Sequence, residues 1–209
     1  MYDILVRQAT ILSMETTPDG SLRKPFIADI AVEGQRIAAI EPNINCEARK
    51  VIEGQDYLVM PGLVNMHTHL PMSYLRSYGD DLPLQKWLET RVYPAEDRWQ
   101  AEDILWATQL ALWEMIESGT TCCNDMYFFV DEIAQAVDQS GLRAVLSRGI
   151  VGDWQDGNER LAENIALYQN WHGADHGRIQ VAFAPHAIYT CSEMLLRKIS
   201  EIAQKYQTM

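Results

Sequence analysis

The sequence predicts an α/β protein in which a parallel sheet of βα units follows a small all-β module. Three observations predict it. From residue 59 onward, short apolar strand-like runs alternate four times with helical stretches, which is the pattern of βα units. Those runs are apolar on both faces, as strands covered on both sides must be. Before residue 59 the chain carries only short alternating or β-branched runs separated by turn clusters, with no helical period.

The β module comes first. Tyr2 to Ile11 is aliphatic and β-branched, and Pro18-Asp19-Gly20 marks a turn. Phe26 to Val32 alternates apolar and polar residues, Glu33-Gly34 turns, and Arg36 to Ile40 continues, so this stretch reads as a hairpin. Val51-Ile52 and Tyr57-Leu58 add two short pieces.

The βα part opens with the apolar run from Leu58 to Met66, which ends in His67-Thr68-His69. Leu84 to Arg91 and Ala101 to Ser118 have helical spacing. In the second, Ile104, Leu105, Thr108, Leu112, Met115 and Ile116 form one stripe that Gly119 terminates. Strands are expected at Thr120 to Met126, Arg143 to Ile150 and Ile179 to Ala184. Helices are expected at Val130 to Gln139, Gly157 to Trp171 and Ser192 to Tyr206, the last capped by Ser192. Most of the six tryptophans and nine methionines fall in apolar stripes and read as core.

Composition limits the function. The chain has 209 residues, 47% of them hydrophobic, which is enough to build a core. Lys plus Arg is 17 against 29 Asp plus Glu, a net charge of −12, which argues against a nucleic-acid backbone partner. No apolar run reaches the roughly 18 residues of a membrane span. The N-terminus lacks the basic segment and apolar core of a secretion signal, so a cytoplasmic location is expected. Cys46, Cys122, Cys123 and Cys191 form no C-x-x-C pair and read as buried free thiols of a reducing compartment.

Five residues are candidates for chemistry. His67 and His69 stand at i and i+2, so a strand would project both imidazoles to one side. Neutral imidazole is a common ligand for zinc and similar ions, although two surface histidines would show the same spacing. His186 follows the apolar run Val181 to Pro185 and sits at a second strand end, either in a site or hydrogen-bonded in a loop. Arg148 ends a third strand, where a guanidinium suits a carboxylate and equally suits an ordinary ion pair. Glu96, taken alone, reads as a solvated acid near a helix start. His172 and His176 flank a glycine in a polar loop and read as solvated.

Together these stretches resemble the amidohydrolase superfamily, and more narrowly the 5-methylthioadenosine/S-adenosylhomocysteine deaminases. The resemblance rests on PGLVNMHTHLPMSYLR (61–76), WLETRVYPAED (87–97), GTTCCNDMYF (119–128), LRAVLSRGIV (142–151) and VAFAPHAIYTCSE (181–193). It implies the first half of a TIM-type (β/α)₈ barrel (59–209), preceded by the N-terminal part of a composite β-sandwich domain (1–58). It implies His67 and His69 as ligands of one Zn²⁺ per subunit, and Glu96, Arg148 and His186 as substrate-binding positions for ribose, a homocysteine carboxylate and the purine ring. The implied reaction is hydrolytic deamination of adenine in S-adenosylhomocysteine or 5′-methylthioadenosine, to S-inosylhomocysteine or 5′-methylthioinosine plus ammonia.

A full barrel takes about 250 residues. The resemblance accordingly places the catalytic glutamate and the remaining zinc ligands beyond Met209, so no catalytic residue is expected within this chain. Its partners are expected to be a small nucleoside and, with open sheet edges, other copies in a homo-oligomer or self-association, with no nucleic acid or membrane. Two alternatives stand beside this reading: another hydrolase of the superfamily acting on guanine, a pterin or a triazine, and a non-catalytic remnant.

Overall fold

A computed structural model describes residues 1–208. The chain forms two compact units, Met1–Gly62 and Leu63–Met209.

The first unit is one five-stranded sheet of β1 (Tyr2–Ile11), β2 (Phe26–Glu33), β3 (Arg36–Glu41), β4 (Ala48–Glu53) and β5 (Leu58–Val59). The order is β3-β2-β1-β4, with β5 also on β1. β1, β2 and β3 are antiparallel neighbours, whereas β4 and β5 run parallel to β1. The β2–β3 turn uses Gly34 at φ 57°, which only glycine adopts without strain. β1 bulges between Val6 and Ala9. Asp29 accepts the freed Gln8 amide and the Ile44 amide, each at 2.8 Å. Burial opposes its charge, but these amides outweigh burial and hold the carboxyl below its ordinary value.

The second unit is a parallel sheet. Its strands are β6 (Leu63–Thr68), β7 (Thr120–Tyr127), β8 (Arg143–Ile150), β9 (Ile179–Val181) and β10 (Ala184–Pro185). Neighbours run β6-β7-β8, and both β9 and β10 pair with β8. Consecutive strands thus lie side by side in chain order, as in the opening half of a (β/α) barrel. The single strand expected at Ile179 to Ala184 is split into β9 and β10. Among the described residues β6 pairs with β7 alone, and Leu63, Val64 and Met66 on it are exposed.

Among the described residues, seven α-helices accompany this sheet. α1 (Leu84–Trp87) and α2 (Tyr93–Glu96) are joined by a π-helical turn, Leu88–Val92. The single helix expected at Leu84 to Arg91 is therefore interrupted. Pro94 offers no N–H to the carbonyl four residues back, so the ladder changes register there. α3 (Ala101–Glu117) buries Ile104, Ala107, Thr108, Ala111 and Leu112, and leaves Ile116 of the expected stripe exposed. Trp106 and Trp113 also face outward from α3, contrary to a core reading. α4 (Val130–Ser140), α5 (Trp154–Trp171), the short α6 (Ala174–Gly177) and α7 (Glu193–Tyr206) complete the set. α5 starts three residues earlier than expected because the Asp153 carboxylate caps the Gln155 and Asp156 amides.

The main core joins Ile104 and Leu112 of α3 and Ile133 and Val137 of α4 to Leu146, Ile179 and Val181 of the sheet. A second cluster joins Ile150, Phe183, Leu161, Leu195 and Ile199. Arg178 is buried and donates to the carbonyls of Val137 (2.9 Å), Asp138 (3.0 Å) and Leu142 (2.6 Å). It thereby satisfies acceptors that the end of α4 leaves open.

Two expectations about polar residues need correction. His172 is half-buried: its Nδ1 accepts from the Val181 amide at 3.1 Å and its ring stacks on Tyr168 at 4.2 Å. Cys46 is exposed because it lies in the loop before β4, while Cys123 and Cys191 are buried. Among the described residues, no helix is long and apolar enough to cross a membrane.

Candidate active site

The site begins where β6 ends. Strand geometry carries the chain to Thr68. A 3₁₀ turn, Leu70–Leu75, then takes over, with Pro71 at its start. His67 and His69 project together, with Nε2 atoms 3.3 Å apart and rings nearly perpendicular at 86°. His69 Nδ1 lies 2.7 Å from the Met126 carbonyl oxygen. A carbonyl only accepts, so Nδ1 carries the proton and Nε2 keeps its lone pair. That is how a metal-binding imidazole is normally prepared.

The spacing fits a metal. With Zn–N bonds of about 2.0–2.1 Å, two nitrogens on a tetrahedral ion stand about 3.3–3.4 Å apart. The observed 3.3 Å matches one edge of that tetrahedron. Among the described residues no three His, Cys, Asp or Glu gather as a complete cluster. The two histidines by themselves could fill only two positions of a closed or catalytic zinc shell.

Asp125 on β7 is buried beneath this pair. Its Oδ1 accepts from the Thr68 hydroxyl and the Leu70 amide, both at 2.7 Å. Burial pushes its carboxyl up to about 7 despite those donors. Two residues on, the Tyr127 hydroxyl donates to Glu96 Oε1. Glu96 arrives at the end of α2, half-buried, and burial raises its carboxyl above the ordinary value, with the Tyr127 bond opposing the rise. Tyr127 lies 6.1 Å from the His69 ring, centroid to centroid. His67, His69 and Glu96 therefore belong to one neighbourhood, linked through Tyr127.

The other two candidates stand apart. His186 is exposed and shares a 2.9 Å hydrogen bond between its Nδ1 and Thr190 Oγ1. The residues just before it, Ala184 and Pro185, line a cavity of about 380 Å³ together with His67, His69 and Met126. Arg148 forms a 2.5 Å ion pair with Glu163 and lines a cavity with Phe128 and Phe129 that shares no lining residue with the histidine cavity. Its amide is held by the buried Asn164.

Residues 58–209 match the Amidohydrolase family. The chain belongs to that family. A 5-methylthioadenosine/S-adenosylhomocysteine deaminase of Pelotomaculum thermopropionicum is 42% identical over 98% of this chain and 47% of its own length. A 5′-deoxyadenosine deaminase of Methanosarcina mazei is 43% identical over 98% of this chain and 47% of its own length. An adenosine deaminase of Xanthomonas campestris, solved with bound zinc, superimposes with a TM-score of 0.87 at 30% identity, over 99% of this chain and 48% of that one. This amidohydrolase chain spans about half the length of the relatives it matches, and its strand-and-helix order is that of a partial TIM-type barrel.

Two residues beside the histidine pair, Asp125 and Tyr127, escape motif reading. Asp125 carries a sequence signal: it is the one charged residue of the strand run Thr120–Tyr127, and a buried acid needs hydrogen-bond partners. Tyr127 carries none, since its partner Glu96 comes from a segment 31 residues away.

Proposed function

We propose that this chain supplies the N-terminal, metal-holding part of a zinc-dependent nucleoside deaminase that converts the adenine of S-adenosylhomocysteine or 5′-methylthioadenosine to hypoxanthine. Water adds at C6, the exocyclic amine leaves as ammonia, and the products are S-inosylhomocysteine or 5′-methylthioinosine. The observation that carries the reading is the His67–His69 pair, spaced as one edge of a zinc tetrahedron with the His69 tautomer set for ligation. The names of the relatives support the substrate class.

In this reading His67 and His69 hold the ion through Nε2. Bound zinc supplies a water acidified to a pKa of about 7. Glu96 accepts hydrogen bonds from the ribose hydroxyls through the oxygen that Tyr127 leaves free. The raised carboxyl of Glu96 reflects a dry pocket, where such bonds count for more than in water. His186 flanks the purine from the rim beyond Pro185. Arg148 recognises the amino-acid carboxylate by exchanging Glu163 for substrate, which restricts its role to ligands bearing that group.

The test is an assay of a full-length protein made by joining this chain to the remaining half of the Pelotomaculum relative. With zinc, it should release ammonia from both nucleosides and show the adenine-to-hypoxanthine absorbance change. A His69→Ala form should do neither. A folded, zinc-loaded protein that turns over guanine and neither adenine nucleoside contradicts the proposal.

A further inference from the structure

We propose that Asp125 is the positioning residue that sets the geometry of the His67–His69 pair, a role that rests on the metal-holding reading above. Three independent features carry it.

The first is its location. Asp125 is only 2% exposed and takes part in no salt bridge among the described residues. A carboxylate buried without a cation costs several kcal/mol unless its hydrogen bonds are well made.

The second is what it binds. One oxygen, Oδ1, takes both the Thr68 hydroxyl and the Leu70 amide. These residues flank His69 on either side, so Asp125 fastens the chain before and after the ligand. The Leu70 amide opens a 3₁₀ turn and has no partner within it.

The third is the failure of the ordinary sheet ladder at this point. The β6–β7 register is irregular between Asn65 and Thr68, so main-chain pairing does not place His67 or His69. β7 compensates with its side chain at 125 and two neighbouring carbonyls. The Thr68 hydroxyl shares its one proton between Asp125 Oδ1 at 2.7 Å and, more weakly, the Asn124 carbonyl at 3.1 Å, and the Met126 carbonyl accepts from the His69 ring. Three consecutive residues of β7 thus hold this segment: the Asn124 side chain donates to the Met66 carbonyl at 3.1 Å, before His67, and Asp125 is the side chain that bonds on both sides of His69.

The test measures zinc affinity, by competition with a chelator, in the joined full-length protein. His69→Ala is compared first. If it binds zinc as tightly as the parent, the two-histidine reading falls and this proposal with it. Given loss in His69→Ala, Asp125→Ala should weaken zinc binding by about 10–100-fold, the usual effect of losing a group that orients a ligand. Asp125→Asn keeps an acceptor oxygen and should stay within about threefold of the parent. Thr68→Val removes one of the two bonds and should fall between.

Parent affinity in a folded Asp125→Ala protein overturns the proposal. So does an Asp125→Asn protein as impaired as Asp125→Ala, since charge would then matter rather than the acceptor. Should Asp125→Ala not fold, Thr68→Val decides: an unchanged zinc affinity there overturns the assignment.

Discussion

The hydroxyl of Tyr127, at the end of β7, donates to the carboxylate of Glu96, at the end of α2. The bond brings an acid from an irregular helical segment to the strand end beside His69. Pro94 and the π-helical turn before it break the regular helical ladder of that segment, and the Tyr127 hydrogen bond ties its end to β7.

Tyr127→Phe should therefore weaken nucleoside binding. A hydrogen bond to a charged group contributes about 1.5–3 kcal/mol, so KM for 5′-methylthioadenosine in the joined full-length protein should rise about tenfold or more, with zinc content unchanged. Steady-state kinetics with metal analysis checks this. An unchanged KM would mean that Glu96 holds its position unaided.

Arg148 makes a prediction about discrimination. Its ion pair with Glu163 shows a guanidinium already matched to a carboxylate. Arg148→Ala should raise KM for S-adenosylhomocysteine by about 10–100-fold and leave 5′-methylthioadenosine, which has no carboxylate, nearly unchanged. Equal effects on both substrates would reduce Arg148 to a structural ion pair.

Arg178 tests the fold away from the site. Arg178→Ala leaves the carbonyls at the end of α4 without their donor, at about 1–3 kcal/mol for each buried one. Loss of about 3 kcal/mol in urea unfolding is expected. Lys198→Ala breaks only an exposed pair with Glu201 and should cost under about 1 kcal/mol. Equal losses would contradict this account of the α4 terminus.

The cysteines should separate by reactivity. Cys46 is exposed, whereas burial pushes the Cys123 thiol up to about 12 and Cys191 is buried against the Ile150 carbonyl. A thiol reagent near neutral pH should modify Cys46 first, and Cys123 and Cys191 only after denaturation. Peptide mapping of the modified sites checks the order, and early labelling of Cys123 would contradict its burial.

Asp125 gives stability a pH dependence. Its carboxyl is raised from 3.8 to about 7 by burial. A carboxyl raised on folding favours the folded state while protonated. That contribution is full below the unfolded value and is lost as pH rises through the folded one. Metal-free protein should lose stability relative to Asp125→Asn between about pH 4 and pH 7. Parallel urea midpoints across that range would contradict it.

Much of this architecture is legible in the sequence because it follows from period. The apolar runs around Cys123, Leu146 and Val181 mark parallel strands, and the stripe through Ile104, Thr108 and Leu112 marks the buried face of α3. Ile116 and Trp113 are exposed, and period alone does not say how wide a face the neighbouring elements cover. The H-x-H spacing was legible for the same reason as the strands: i and i+2 share a side. The clamp around it was not. Asp125 meets Thr68 and Leu70 across 57 and 55 residues, and Tyr127 meets Glu96 across 31. Those encounters depend on strand order and on where a π-helical turn ends, which no local pattern encodes. Arg148 is legible as a strand-end cation, but its partner Glu163 depends on the packing of α5 against β8.

The most direct measurement is anomalous diffraction at the zinc edge from crystals of the joined full-length protein. A peak is expected about 2.0–2.1 Å from both His67 Nε2 and His69 Nε2, with His69 Nδ1 still bonded to the Met126 carbonyl. A zinc peak remote from either histidine in an active protein would contradict that placement.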